Sequence, residues 1–161
     1  MNKVLLTVVI GIFLGTSSVA WSYDTEMAKS YEKLFTSCCG AGVGKTLHFV
    51  KPDALVKDIK SGKEIVTIDV RTPEESGLFT MTMPNSVAIP VNQLFKPENL
   101  ARIPQDKTVV IICKSGARAT AVGTALRHTG FDNVYILKGG MQALSSYYGA
   151  KQANTVIAAA K

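Results

Sequence analysis

Thr108-Val109-Val110-Ile111-Ile112-Cys113-Lys114-Ser115-Gly116-Ala117-Arg118 is the stretch on which the reading of this chain turns. Its first five residues are all β-branched and four are apolar, the composition of a strand covered on both faces. A cysteine closes the run, a Gly-containing turn follows, and residues 118–128 carry a helical pattern that ends at Gly130. A thiol between the end of a buried strand and the start of a helix sits where several backbone N–H groups converge. The helix dipole and a concave run of amides favour negative charge there, and so favour thiolate over thiol. Lys114 and Arg118 add two cations within the same turn. The loop has the chemistry of a nucleophilic thiolate that meets an anion.

Working outward, short apolar runs alternate with helical patterns. Residues 47–50 read as a strand. Pro52 opens a helix over 53–59 that Ser61-Gly62 stops, with proline in the first turn where its missing N–H costs nothing. Residues 64–70 form a buried strand ending in Asp69-Val70-Arg71, whose two charged side chains are expected to pin the strand end by hydrogen bonds. Residues 87–89 form a third strand before Pro90, and 93–100 hold a helical turn. The fifth strand spans 133–137, followed by Gly139-Gly140 and a final helix over 141–148. Such alternation predicts an α/β fold, a five-stranded parallel sheet flanked by helices. In sheets of this kind ligands bind beyond the carboxyl ends of the strands, where Cys113 falls.

The remaining segments bound the class. Residues 1–22 read as a signal peptide: Lys3 precedes an apolar run from Val4 to Leu14, and small residues up to Ala20 and Ser22 offer two cleavage points. The apolar run is short of the roughly 20 residues a spanning helix needs. Export to the periplasm, or otherwise out of the cytoplasm, is therefore expected. Residues 23–46 read as a helix and a Gly-rich connector, 47–149 as the folded domain and 150–161 as an Ala-rich tail. With 47% hydrophobic and 19% charged residues the body is globular. The net charge of +6 is scattered, which suits attraction of small anions and lacks the clustered stripe that nucleic acid requires.

Two motif-like features do not hold. Gly42-Val43-Gly44-Lys45-Thr46 resembles a phosphate loop, but Cys39 stands where its first glycine is needed, and no strand precedes it. His48 and His128 are isolated in sequence from acidic or cysteine partners, so no metal site is expected. The adjacent Cys38 and Cys39 leave three readings open: a strained vicinal disulfide or redox relay, an intermolecular bridge or metal contact, or thiols without chemical role.

Asp69-Val70-Arg71, the segment Met83-Pro84-Asn85-Ser86-Val87-Ala88-Ile89-Pro90, the loop from Cys113 to Arg118, and Leu137-Lys138-Gly139-Gly140 stand in order along residues 47–148. In this pattern the chain resembles the rhodanese-like sulfurtransferases, in their single-domain exported form. The resemblance implies that Cys113 accepts a sulfane sulfur from thiosulfate or polysulfide as a persulfide and passes it to a thiophilic acceptor. Lys114, Ser115, Gly116, Ala117 and Arg118 would form the cradle that binds it, with no metal or organic cofactor. The partners implied are a small anionic sulfur donor and a thiol or protein acceptor, with neither nucleic acid nor stable membrane insertion. A persulfide is an anion, and a ring of backbone N–H groups holds it without ordering any side chain. Gly116 suits such a loop because inward-turning amides require positive φ.

The chain departs from the family pattern twice. Met81-Thr82-Met83-Pro84-Asn85-Ser86 replaces Gly-His-Ile-Pro-Gly-Ala, and Met141 and Leu144 stand where a tryptophan commonly follows the double glycine. Phosphatases and arsenate reductases of this architecture use a cysteine loop one residue longer; here Arg118 follows Cys113 after four residues, a ring suited to one sulfur atom. Two other readings use the same architecture: a carrier delivering polysulfide sulfur to a partner protein with little turnover, and a sensing module, which typically lacks the cysteine that this chain keeps.

Overall fold

The computed structural model describes residues 23–36, 38 and 40–155; the signal-like segment 1–22, Cys39 and the tail beyond residue 155 lie outside the described residues. The apolar runs pair side by side. β1 (Phe49–Val50), β2 (Ile65–Asp69), β3 (Ser86–Ala88), β4 (Thr108–Ile112) and β5 (Val134–Leu137) form one sheet in the order β1-β5-β4-β2-β3. Every neighbouring pair is parallel. The helices are α1 (Thr25–Thr36), α2 (Val43–Thr46), α3 (Pro52–Lys60), α4 (Pro73–Leu78), α5 (Val91–Leu94), α6 (Pro97–Leu100), α7 (Ala117–His128), α8 (Gly140–Tyr147) and α9 (Ala150–Asn154).

The all-β-branched run takes the central place, and four of the five β4 residues are buried. Side chains alternate across a strand. Val109, Ile111 and Cys113 therefore face one layer, closed by Ala119, Val122 and Leu126 of α7. Val110 and Ile112 face the other, closed by Leu55 and Val56 of α3 and Leu144 of α8. Parallel strands bring Cys113 to the same edge as Asp69 and the loop after β5.

The structure differs from the sequence-based expectations most at three places, and α2 also forms within the segment read as a Gly-rich connector. The strand expected over 47–50 shortens to two residues because His48 adopts φ +55°, which ends extended pairing; its ring stacks on Tyr135 with centroids 4.9 Å apart. Burial, then the nearby Arg127 cation, lowers the His48 pKa from its ordinary value. The helical turn over 93–100 splits into α5 and α6 at Lys96, which is extended (ψ 141°) because a residue before proline is pushed out of the helical region. α4 has no counterpart in the expected elements. In the amino-terminal part, α1 buries none of its residues and touches the last residue of α7, where Ser30 Oγ lies 2.7 Å from His128 Nδ1.

Candidate active site

At the end of β4 the Cys113 side chain is 1% exposed, and its Sγ accepts two backbone hydrogen bonds, from the Gly116 N–H at 3.2 Å and the Ala119 N–H at 3.4 Å. Gly116 has φ +97°, the left-handed bend that turns its amide back toward the thiol. The N–H groups of Lys114, Ser115, Ala117 and Arg118 donate to no acceptor among the described residues. Of the expected segment, only the Gly116 N–H donates to the sulfur among the described residues. The second amide is that of Ala119, one residue beyond the expected segment.

The double glycine supports this loop from behind. The Met141 N–H donates to Cys113 O (2.7 Å) and the Gln142 N–H to Lys114 O (3.0 Å), so the start of α8 fixes these two loop carbonyls. Such an approach has room for no side chain at Gly140. A Cβ there would press on Cys113 O and lie 2.7 Å from Gly116 N, and its φ of +59° is itself strained for other residues.

The charged side chains of the loop behave differently from one another. Arg118 turns to Glu75, donating from Nη1 to Oε2 (2.8 Å) and from Nη2 to Oε1 (2.7 Å). Its guanidinium is thus engaged in a bidentate pair. Lys114 is exposed and has no carboxylate partner among the described residues. Glu75 carries two duties. It also accepts from the Thr72 N–H (3.0 Å) while Thr72 Oγ1 accepts from its own N–H (3.3 Å), a reciprocal cap that starts α4. The bonds from Arg118 and then from the Thr72 amide hold its carboxyl down to about 2.

Asp69 and Arg71 pin the strand end as expected. Both are about 4% exposed in a buried pair at 2.7 Å. Arg71 Nη2 also donates to Phe79 O (2.6 Å), and Ser76 Oγ to Asp69 Oδ2 (3.3 Å), which fastens α4 and the segment after it above the sheet edge. Among the described residues no cluster of His, Cys, Asp or Glu could hold a metal, and no helix is long and apolar enough to cross a membrane.

Beside the loop opens a cleft of about 640 Å³ whose lining includes Lys114, Glu75, Phe79, Met81, Met83 and Met141; Cys113 is not part of the lining. The family model of the rhodanese-like domain matches residues 51–147, spanning the Asp69–Arg71 corner, the cysteine loop and the double glycine. The chain belongs to the rhodanese-like domain family. It is 33% identical over 94 residues to the probable adenylyltransferase/sulfurtransferase MoeZ of Mycobacterium tuberculosis, covering 58% of this chain and 24% of that protein, so it spans about a quarter of that relative's length. It is 36% identical over 90 residues to the putative sulfurtransferase YtwF of Bacillus subtilis, covering 56% of this chain and 82% of that one. The rhodanese-related protein of Thermoplasma volcanium superposes with a TM-score of 0.54 at 26% identity, covering 63% of this chain and 95% of that chain.

Set in the rhodanese-like frame, the departures noted in the sequence converge. Met81, Thr82, Met83, Met141 and Leu144 all line the one cleft. Asn85, in place of a glycine, adopts φ +58°, a left-handed conformation that asparagine tolerates better than most residues.

Proposed function

We propose that this rhodanese-like domain is a sulfurtransferase that moves a sulfane sulfur from thiosulfate or polysulfide to a thiophilic acceptor through a persulfide on Cys113. The observation that carries this reading is the pair of amides on Sγ, in a loop whose other four N–H groups donate to no acceptor among the described residues. The Cys113 thiolate attacks the outer sulfur of the donor, and the donor's S–S bond breaks as the new one forms. The rest of the donor departs with the bonding electron pair. The amides of the loop then carry the anionic sulfur, with little reorganisation because the Met141 and Gln142 N–H groups already hold the Cys113 and Lys114 carbonyls. Lys114 draws the anionic donor in, and Arg118 acts through its pair with Glu75, which positions α4. No metal or organic cofactor enters the step. Residues 1–22 direct export to the periplasm or otherwise out of the cytoplasm, and the mass of the protein recovered from that compartment checks it.

The decisive experiment is the intact mass after incubation with thiosulfate or polysulfide, with and without cyanide. A gain of one sulfur atom on Cys113, reversed by cyanide with release of thiocyanate, is expected. No gain with either donor overturns the reading, and a stable adduct with negligible turnover redirects it to a carrier that delivers sulfur to a partner protein.

A further inference from the structure

Five methionines occur in the chain, and three of them, Met81, Met83 and Met141, line the cleft beside the cysteine loop. They come from two segments. Met81 and Met83 stand two residues apart in the irregular stretch after α4, and Met141 lies in the first turn of α8. All three are half-buried and pack against one core cluster, which includes Leu55, Val110, Leu137 and Leu144. The fold thus gathers three thioethers on one wall, each with the core on one side and the cleft on the other.

A merely apolar wall needs volume and no sulfur, and leucine would supply it. A thioether adds a polarizable lone pair, and its three rotatable bonds let the sulfur be aimed. Neutral sulfur ligands of this kind favour soft ions, Cu(I) foremost, while carboxylates and carbonyls favour hard ones. The rest of the lining disfavours hard cations. Among the described residues its one carboxylate is Glu75, already engaged by Arg118 through two hydrogen bonds. Lys114 also lines the cleft, and its repulsion of a cation grows in proportion to the charge the cation carries. A single positive charge on a soft ion is the best match to that combination.

We infer that Met81, Met83 and Met141 form a thioether site for a soft monovalent metal ion of the Cu(I) class. Cys113 is 1% exposed and outside the cleft lining, so the thiol is not a ligand of this site. The inference is independent of the persulfide reading, and the ion takes no part in the transfer step. Thioethers carry no proton to be displaced, so binding is indifferent to pH where thiolate and imidazole ligands lose their metal to acid.

The test titrates the full chain carrying Cys38→Ser, Cys39→Ser and Cys113→Ser with silver(I) nitrate, a redox-stable stand-in for Cu(I), in chloride-free buffer. One ion per chain is expected, with affinity equal within about twofold at pH 5 and pH 7. The methyl resonances of Met81, Met83 and Met141 should shift together, and that of Met27, exposed on α1, should stay in place. Met81→Leu and Met83→Leu keep the apolar volume and remove one sulfur each, and either should weaken binding by about tenfold or more. Zn(II) in excess should not displace the silver. The same methyl shifts are expected in the wild-type chain once its thiols are saturated, which frees the test from the serine substitutions. Unshifted methyl groups, affinity unmoved by both leucine variants, loss of binding at the lower pH, or displacement by Zn(II) overturns the site. Sulfur loading of Cys113 is read separately, so none of these results bears on the sulfurtransferase reading.

Discussion

The chain carries thiols in two settings, and the settings treat them differently. Cys113 leaves the carboxyl end of the central strand and meets two amide donors at 3.2 and 3.4 Å. Cys38 lies in the segment between α1, which touches the last residue of α7, and β1. It is half-buried and free, and its own N–H donates to Phe35 O. The contrast shows that position on the backbone, more than residue type, assigns a thiol its chemistry. Only at the carboxyl edge do the loop and helix start present unpaired N–H groups to it.

The most severe way to break the contrast is to exchange its subjects. Cys113→Ser should reduce both adduct and transfer to background, whereas Cys38→Ser should leave transfer within about twofold; the opposite pattern in an intact-mass and thiocyanate assay would invert the assignment. Next comes the corner that holds the carboxyl edge together. Arg71→Met leaves the Asp69 carboxylate buried without its partner, and denaturant unfolding should report a loss of about 3–5 kcal/mol. A loss of less than about 1 kcal/mol would remove the pair from the account of that edge.

Gly140→Ala attacks the loop from behind. The added methyl group must push the Cys113 carbonyl, so a destabilisation of about 1–3 kcal/mol is expected together with slower sulfur loading. Normal loading in this variant would show that the carbonyls need no such support. Glu75→Gln is milder and depends on pH. The Glu75 carboxyl titrates at about 2 when folded, against an ordinary 4.5, so the unfolded chain binds the proton first. Its contribution is complete above about pH 4.5 and is lost as pH falls toward 2. The gap in Tm between wild type and Glu75→Gln should therefore shrink across that window; a constant gap would mean that the pair with Arg118 does not stabilise the fold. Smallest of all, Lys114→Ala should raise KM for thiosulfate by about two- to fivefold at low salt and hardly at all at high salt. An effect indifferent to salt would deny the lysine its role of attraction.

The central strand was legible because complete burial demands an unbroken apolar run, and the expected span 108–112 matches β4 residue for residue. The strand-end cysteine and the positive φ of Gly116 followed from that placement. Other features were hidden for physical reasons. α4 has six residues and buries none of them, so it carries no amphipathic period; its signal was the cap Thr72-x-x-Glu75, which predicts a helix start only once sought. The turn of Arg118 toward Glu75 joins positions 43 residues apart and leaves no local trace. The Ala119 donor is a backbone group, and any residue except proline at that position would supply it. The cleft was visible only as separate departures from a family pattern, and the parallel crossover brought them to one wall.

One consequence of the strand order concerns motion. β4 is hydrogen-bonded on both edges, by β5 and β2, and its side chains anchor both layers of the core. Amide protons on such a strand exchange with solvent only on near-global opening, while a six-residue helix and the neighbouring Leu78 and Phe79, 79% and 73% exposed, open at far lower cost. The thiol proposed as nucleophile is thereby mounted where opening costs most, while the cleft beside it is walled by a short helix end that opens at lower cost.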